Sequence, residues 1–153
     1  MIKVLFVCLG NICRSPMAEF IFKDMLKKKG VSDLFVVRSA ATSDEEEGNP
    51  VYPPAKRELE KHGISAAGKT AVQLKKTDLE EYDYILCMEK RNEINALRMF
   101  GVERSEKVKR LLDYAGGGDI ADPWWTGDFS VTYRDIERGL NGFYCYLQEK
   151  KNF

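Results

Sequence analysis

A nucleophile, a glycine and an arginine occur together in one stretch near the amino end, Cys8-Leu9-Gly10-Asn11-Ile12-Cys13-Arg14-Ser15-Pro16. The stretch follows directly on the apolar run at residues 4–7, which predicts a strand buried on both faces. Gly10 and Asn11 are residue types that tolerate positive φ, so the loop can curl until successive backbone N–H groups converge. Such a nest of amides beside a helix N-terminus binds phosphate.

The end residues of this loop could supply chemistry. A cysteine beneath an anion nest and near an arginine is favoured as the thiolate, which is a competent nucleophile. The planar fork of Arg14 can hold two phosphate oxygens and stabilise charge on a transferring phosphoryl group. Each residue alone is better explained as a buried core cysteine or a surface arginine. Their combination with Ser15 and Pro16, predicted as the N-cap and first residue of a helix, favours catalysis.

Strands and helices alternate along the chain. Apolar runs at 35–37 and 84–87 predict two more buried strands, and helices are predicted from about 18 to 29, 54 to 62 and 89 to 99. In the last helix, with Ser130 as its predicted N-cap, apolar residues recur every three or four positions on one face. They are Tyr133, Ile136, Leu140, Phe143 and Leu147. This alternation predicts one α/β domain over residues 1–153, with ligands at the carboxyl ends of parallel strands.

Composition excludes several classes of protein. Lysine plus arginine equals aspartate plus glutamate, 24 against 24, so no overall charge favours nucleic acid or an anionic membrane. No run reaches the ~18 apolar residues of a membrane span, and we expect a cytoplasmic monomer whose cysteines are thiols. The cysteines lack Cys-x2-Cys spacing and His62 is the only histidine, so we expect neither a metal site nor a cofactor.

The stretch Val7–Pro16 resembles, without a gap, the signature of the low-molecular-weight protein tyrosine phosphatases. The resemblance continues through Ser39, residues 61–64, residues 82–88 and Asp122-Pro123, and so covers essentially the whole chain. It implies a four-stranded, twisted, all-parallel sheet with helices on both faces. It also implies hydrolysis of phosphotyrosine and small aryl phosphates through a cysteinyl-phosphate intermediate. The implied phosphate-binding loop after the first strand comprises Leu9, Gly10, Asn11, Ile12, Cys13, Arg14 and Ser15.

Asp122 is the candidate general acid and base. A tyrosyl oxygen leaves poorly without a proton, so a second group must donate one. Pro123 stiffens the loop, and Trp124 and Trp125 are expected to desolvate the carboxyl group and favour its protonated form. Asp-Pro alone is a common turn dipeptide, but the resemblance places the general acid in such a loop. The ionised Asp122 would then activate the hydrolytic water, which predicts a bell-shaped pH profile. Asp119 and Asp128 are the alternatives.

The resemblance also implies supporting residues. Ser15 would donate a hydrogen bond to the Cys8 sulfur and assist its departure in the second step. Asn11 would occupy a left-handed conformation braced by Ser39 and His62. A histidine before a glycine can equally well cap a helix end, and that alternative remains open for His62.

The remaining cysteines are assigned from the same resemblance. Cys13 is expected to form a reversible disulfide with Cys8 that protects the nucleophile from further oxidation, or else to be a plain buried thiol. Cys87 and Cys145 are predicted to face the core and have no assigned role.

Rival functions share parts of this pattern. Arsenate reductases of this fold need further cysteines shortly after the middle strand, and here none follows Cys87 until Cys145. Protein arginine phosphatases carry threonine where this chain has Ile12, and an apolar β-branched side chain favours a flat phenyl ring over a phosphoguanidinium. A phosphopeptide-binding module without catalysis would need neither the nucleophile nor the acid.

The expected substrate slot is formed by Ile12, Glu45, Trp124 and Trp125. Relatives often carry an aromatic residue on the loop after Ser39, whereas this chain has the acidic run 44–47 there. The acidic run is either a solvated loop or a selector for substrates with basic residues beside the phosphotyrosine. The expected partners are phosphotyrosine-containing proteins or peptides, with inorganic phosphate as product and inhibitor.

Overall fold

The computed structural model describes residues 1–151 and 153. Its centre is a four-stranded parallel sheet with the strand order β2-β1-β3-β4. The strands are β1 (Ile2–Cys8), β2 (Phe35–Ala41), β3 (Tyr84–Cys87) and β4 (Val108–Arg110). The predicted four-stranded parallel sheet is therefore confirmed. The sequence pattern did not locate β4, because a three-residue edge strand that reads Val-Lys-Arg has no apolar run.

In the described part of the chain, six α-helices surround the sheet. They are α1 (Arg14–Lys28), α2 (Pro53–Lys61), α3 (Asp78–Glu81), α4 (Lys90–Phe100), α5 (Pro123–Thr126) and α6 (Phe129–Lys151). The four longer helices are those that the sequence predicted, with small shifts at their ends. The single-turn helices α3 and α5 are too short to show such a period.

The alternation of side chains along β1 divides the core into two layers. Val4 and Phe6 face the layer that contains Phe22 of α1 and Phe143 of α6. Leu5, on the opposite face of the strand, belongs to the layer of α4. Helices therefore cover both faces of the sheet, as predicted, and only the strand ends remain open for a ligand.

Two predicted helix starts were wrong. Helix α1 begins at Arg14 with Cys13 as its N-cap, so Ser15 and Pro16 are its second and third residues. The Ser15 hydroxyl is drawn away from capping because it contacts Cys8 Sγ and Asn11 Nδ2. In α6 the capping side chain belongs to Asp128, whose Oδ1 accepts hydrogen bonds from the Val131 N–H and the Ser130 hydroxyl.

The cysteines in the described residues are free thiols. Cys87 is buried in the sheet, as predicted, but Cys145 is exposed, so its predicted core position was wrong. Its neighbours Tyr144 and Leu147 take the buried positions on that part of α6. Within residues 1–151 and 153 no helix has both the length and the apolar character needed to cross a bilayer.

Candidate active site

The candidate nucleophile lies at the carboxyl end of the central strand β1. Cys8 is the last residue of that strand, and its sulfur contacts two groups from the following loop and helix. The Asn11 backbone N–H donates to Cys8 Sγ at 3.2 Å, and the Ser15 Oγ lies 2.9 Å from the same sulfur. Two hydrogen-bonding groups therefore converge on the sulfur.

Asn11 holds the loop in its curled conformation. Its φ is +59°, and it is the single non-glycine residue with positive φ in the described part of the chain. Asn11 Nδ2 donates to Ser15 Oγ at 2.7 Å and to Ser39 Oγ at 2.9 Å, while its Oδ1 accepts from the Val72 N–H at 3.1 Å. These three bonds compensate for a strained conformation that would otherwise be sparsely populated.

The predicted contact between His62 and Asn11 was wrong. The His62 ring stacks on Tyr133 with centroids 3.7 Å apart, and its Nε2 lies 3.2 Å from Glu58 Oε2. His62 is the C-cap residue of α2, which agrees with the alternative left open from the sequence. The position on Asn11 expected for the histidine is taken by the Val72 amide.

Arg14 is buried beside the sulfur, with only 2% of its surface exposed. Its Nη1 donates to Glu89 Oε2 at 2.8 Å and to the Ile120 carbonyl at 2.9 Å, while Nη2 lies 3.4 Å from Asp122 Oδ2. Burial opposes the charge of Arg14, but the neighbouring Cys8 sulfur and the two carboxylates outweigh it and raise the pKa of the guanidinium. The guanidinium is thus a fixed positive charge beside the nucleophile.

Glu89 has two roles in this arrangement. Besides the ion pair with Arg14, its side chain accepts from the Asn92 backbone N–H as the N-cap of α4. The Asn92 Oδ1 in turn accepts from the Glu89 N–H at 3.1 Å, which completes a capping box. The residue that fixes the guanidinium is therefore itself fixed by the start of a helix.

Asp122 lines the same cavity as Cys8, and its Oδ2 lies 3.4 Å from Arg14 Nη2. It is the N-cap of α5, where its Oδ1 accepts from the Trp124 N–H at 3.0 Å. Its side chain is 21% exposed, whereas Trp124 is 50% exposed and Trp125 is 81% exposed. Both rings line the same cavity as Asp122.

The two alternative acids have other partners. Asp119 accepts from the Lys90 N–H and from Arg110 Nη1 through the same oxygen. Asp128 caps α6, and hydrogen bonds from the Val131 N–H and the Ser130 hydroxyl lower its pKa. A carboxyl group that stays ionised is a poor proton donor. Neither residue lines the cavity that contains Cys8.

A cavity of about 230 Å³ opens above the sulfur. Its lining contains the loop residues, the substrate-slot residues and part of the acidic run: Cys8, Leu9, Gly10, Ile12, Cys13, Arg14, Ser43, Glu45, Glu46, Asp122, Trp124 and Trp125. Asn11 and Ser15, which were also expected to bind phosphate, lie behind this wall and contact the sulfur from below. The structure therefore brings Ile12, Glu45, Trp124 and Trp125 to one cavity, as the sequence predicted.

The acidic loop is attached to the phosphate-binding loop. The Ser43 N–H donates to the Leu9 carbonyl at 3.0 Å, and Asn49 Nδ2 donates to Glu46 Oε2 at 2.7 Å. Glu46 lies so close to Gly10 that a Cβ on the glycine would come within 3.4 Å of the Glu46 Cγ. The rim therefore carries negative charge while the floor carries Arg14.

Cys13 is buried in the cavity wall. Burial, together with the nearby Cys8 and Asp122, raises the pKa of its thiol to about 12. Cys13 is therefore protonated at neutral pH and does not compete with Cys8 as a nucleophile.

Comparison with known proteins identifies the family. The model of the low molecular weight phosphotyrosine protein phosphatases matches residues 3–152. The chain belongs to this family. Members of it are phosphoric monoester hydrolases, which agrees with a cavity that places a thiol, a guanidinium and a carboxylate side by side.

Individual relatives of this phosphatase cover nearly its full length. The low molecular weight protein-tyrosine-phosphatase YfkJ of Bacillus subtilis is 42% identical, with 99% of both chains covered. Its crystal structure has a TM-score of 0.94 and covers 99% of this chain and 97% of that one. The pig low molecular weight phosphotyrosine protein phosphatase is 38% identical over 92% of both chains. The structure of a Drosophila arginine phosphatase, 28% identical with a TM-score of 0.87, covers 96% and 98%.

Sequence reasoning missed several residues that shape the site of this phosphatase. Glu89 holds Arg14. Tyr52 supports the substrate slot in two ways: its ring centroid lies 4.8 Å from that of Trp124, and its backbone N–H donates to the Ile12 carbonyl. Glu89 could have been found, because it lies two residues beyond β3, at the sheet edge where ligands bind. Tyr52 carries no such indication, since a loop sets its position.

Proposed function

We propose that this phosphatase hydrolyses phosphotyrosine through a covalent phosphocysteine on Cys8, with Asp122 as general acid and base. The observation that carries the proposal is the meeting of Cys8, Arg14 and Asp122 in one cavity, although 108 positions separate the arginine from the aspartate. Each supplies what the reaction needs: a nucleophile, a charge for the phosphoryl oxygens and a proton for the leaving group.

The first step transfers the phosphoryl group to sulfur. The Cys8 thiolate attacks phosphorus, the S–P bond forms, and the bond from phosphorus to the tyrosyl oxygen breaks. Asp122 gives its proton to the departing oxygen. Arg14 lies 3.4 Å from this carboxylate, so a phosphoryl dianion that binds Arg14 competes with Asp122 for the guanidinium.

The second step releases phosphate. Asp122, now ionised, takes a proton from a water molecule that attacks phosphorus, and the S–P bond breaks. The electron pair returns to the Cys8 sulfur, where the Ser15 hydroxyl at 2.9 Å stabilises the thiolate. Inorganic phosphate is thus the product, and we expect it to inhibit by occupying the same loop.

The geometry of Arg14 explains which of its edges binds phosphate. Both N–H groups of Nη1 are used, one by Glu89 and one by the Ile120 carbonyl. The edge formed by Nε and Nη2 is then the one that can donate two parallel hydrogen bonds to phosphoryl oxygens. A lysine, a point charge without such an edge, could not replace it.

The substrate slot favours an aryl phosphate. Trp124 and Trp125 offer exposed indole faces to a ring, and Ile12 lines the same cavity. The alternatives from the same fold are weaker. An arsenate reductase would need further cysteines shortly after the middle strand, and here the next cysteine after Cys87 is Cys145. An arginine phosphatase remains the rival to test, because such enzymes share this fold.

The substrate profile tests this assignment. We expect turnover of a phosphotyrosine peptide to exceed that of the matched phosphoserine and phosphoarginine peptides by at least about 100-fold. Phosphoserine has no ring to stack on Trp124 and Trp125, and Ile12 crowds the guanidinium of phosphoarginine. Ile12→Thr should reduce the ratio of phosphotyrosine to phosphoarginine turnover, because the smaller side chain relieves the crowding around a guanidinium. The measurement is kcat/KM from phosphate release for each peptide on both proteins.

Peptides with charged residues beside the phosphotyrosine test the role of the acidic run in the same assay. Because Glu45 and Glu46 line the cavity mouth, we expect lysines beside the phosphotyrosine to raise kcat/KM by about threefold over glutamates at low salt, and Glu45→Gln to reduce that difference. Equal kcat/KM for the lysine and glutamate peptides would show that the acidic run is a solvated loop with no part in substrate selection. A wild-type preference for phosphoarginine would overturn the tyrosine assignment and leave the phosphocysteine mechanism standing.

We further propose that Cys13 protects Cys8 against oxidation. A peroxide oxidises the Cys8 thiolate to a sulfenic acid and is itself reduced to water or an alcohol. The Cys13 sulfur then attacks the Cys8 sulfur, a disulfide forms, and the departing hydroxide leaves as water with the Cys13 proton. Both thiols line one cavity, and the raised pKa of Cys13, about 12, keeps it from reacting first.

Recovery after oxidation tests this role. After exposure to hydrogen peroxide and then dithiothreitol, we expect the wild type to regain most of its activity and Cys13→Ser to remain inactive. Cys145→Ser, which removes an exposed thiol, should recover like the wild type. Equal recovery of Cys13→Ser and the wild type would contradict the proposal. Free thiols fit a reducing compartment, and we propose a cytoplasmic location for the phosphatase.

A further inference from the structure

A buried carboxylate lies behind the nucleophile, outside the cavity. Glu19 of α1 is only 3% exposed, one helical turn beyond Ser15. Its Oε1 accepts from the Ser39 hydroxyl at 2.6 Å, and two lysine ammonium groups approach the same carboxylate. Lys23 Nζ lies 2.5 Å from Oε2, and Lys69 Nζ lies 3.7 Å from Oε1. Burying a charge is costly, so a carboxylate with this many partners requires an explanation.

Lys69 is a lysine whose side chain is largely buried. It follows the turn after α2, and burial lowers its pKa despite the attraction of Glu19. Its Nζ also donates to the Ser39 carbonyl at 3.1 Å. Lys69 therefore joins the carboxylate of Glu19 to the backbone at Ser39, the residue whose hydroxyl the carboxylate accepts.

The hydrogen bonds between Glu19 and the nucleophile have a fixed direction. An ionised carboxylate only accepts, so the single proton of Ser39 Oγ points to Glu19. Ser39 Oγ must then accept from Asn11 Nδ2 at 2.9 Å. The second proton of Asn11 Nδ2 goes to Ser15 Oγ at 2.7 Å. Because Ser15 Oγ accepts there, its own proton is left for the Cys8 sulfur at 2.9 Å.

We propose that Glu19, with Lys69 as a counterion, is a positioning residue that makes the Ser15 hydroxyl a hydrogen-bond donor to Cys8. The inference rests on the proposed function. The charge of Glu19 orients the Ser39 hydroxyl, and Ser39 Oγ and the Val72 N–H together hold the Asn11 amide with its Nδ2 against Ser15. The donated hydrogen bond matters most when the sulfur leaves phosphorus with a full negative charge.

The variant Glu19→Gln tests this chain of hydrogen bonds. An amide can present N–H to Ser39 and its oxygen to the lysines. The Ser39 proton then turns towards Asn11 Nδ2, where two donors face each other, and this repulsion displaces the Asn11 amide from Ser15. We expect hydrolysis of the phosphoenzyme to slow by about tenfold, the effect of one lost hydrogen bond to a charged group. KM for the substrate should stay within about twofold, because Glu19 lies outside the cavity. Formation and decay of the phosphoenzyme are measured by rapid quench.

A double-mutant cycle with Ser15→Ala separates positioning from stability. If Glu19 acts through Ser15, Glu19→Gln in the Ser15→Ala background should change the decay rate by less than about twofold. Equal effects in both backgrounds would overturn the proposal. Glu58→Gln is the matched control, because Glu58 is an equally buried helical carboxylate with Lys61 and His62 as partners. It should lower thermal stability and leave the decay rate unchanged.

Ser39→Ala provides a second variant if Glu19→Gln does not fold. It removes the hydroxyl that links Glu19 to Asn11 and should give the same slow decay and the same non-additivity with Ser15→Ala. Normal decay in a folded Ser39→Ala protein would overturn the inference alone. A wild type that forms no phosphocysteine would overturn the proposed function, and the inference with it.

Discussion

Cys8→Ser is expected to abolish turnover of aryl phosphates and to leave phosphate binding in place. A serine hydroxyl in the same position is not ionised at neutral pH, so the S–P bond of the intermediate has no counterpart, and kcat should fall by about 10⁴-fold or more. The binding groups are untouched, since Arg14 remains held by Glu89 and Ile120. The measurements are kcat for an aryl phosphate and Kd for inorganic phosphate by calorimetry.

The matched control for this variant is Cys145→Ser. Cys145 is an exposed thiol on α6, and its replacement should leave kcat and phosphate affinity unchanged. A Cys8→Ser protein that retained a tenth of wild-type turnover would show that another group attacks phosphorus. A wild type that bound phosphotyrosine peptides without any turnover would show instead a binding module.

Asp122→Asn is expected to separate substrates by their need for a proton. The amide cannot donate a proton as the carboxyl group does, so kcat for phosphotyrosine should fall by about 10²- to 10⁴-fold. The loss should be much smaller for p-nitrophenyl phosphate in the first step, because its leaving group departs as a stable anion. KM should change little, and rapid-quench rates of phosphoenzyme formation on both substrates provide the measurement.

Asp119→Asn and Asp128→Asn are the controls for the acid. Asp119 accepts from the Lys90 N–H and Arg110, and Asp128 caps α6, so their loss should alter stability more than phosphoenzyme formation. The difference in rate between phosphotyrosine and p-nitrophenyl phosphate should appear in Asp122→Asn and be absent from the other two variants. An identical loss on phosphotyrosine and p-nitrophenyl phosphate would exclude proton donation as the role of Asp122.

Local pattern predicted the centre of the fold well. The run Tyr84–Cys87 became β3 at the predicted residues, and the loop after β1 curls at Asn11, as its residue types indicated. These predictions succeeded because burial on both faces and positive φ leave direct traces in residue type. The edge strand β4 left no such trace, because its pairing with β3 supplies what its composition lacks.

The errors share a physical cause. Ser15 was predicted as an N-cap from its type and position, but the sulfur and Asn11 compete for its hydroxyl. His62 was assigned to Asn11 through the resemblance, but stacking on Tyr133 and the nearby Glu58 hold its ring elsewhere. In both cases a contact between distant parts of the chain decides the outcome, and local sequence does not encode such a choice.

The capping box at the start of α4 makes catalysis depend on the first turn of that helix being folded. Glu89 binds the Asn92 amide and Arg14 with the same carboxylate, so fraying of the first turn of α4 also releases the guanidinium. Helix ends open more readily than a buried sheet. Warming or mild denaturant should therefore abolish activity while the β-sheet is still intact. A spectrum that reports a folded sheet would then not show that the protein is active.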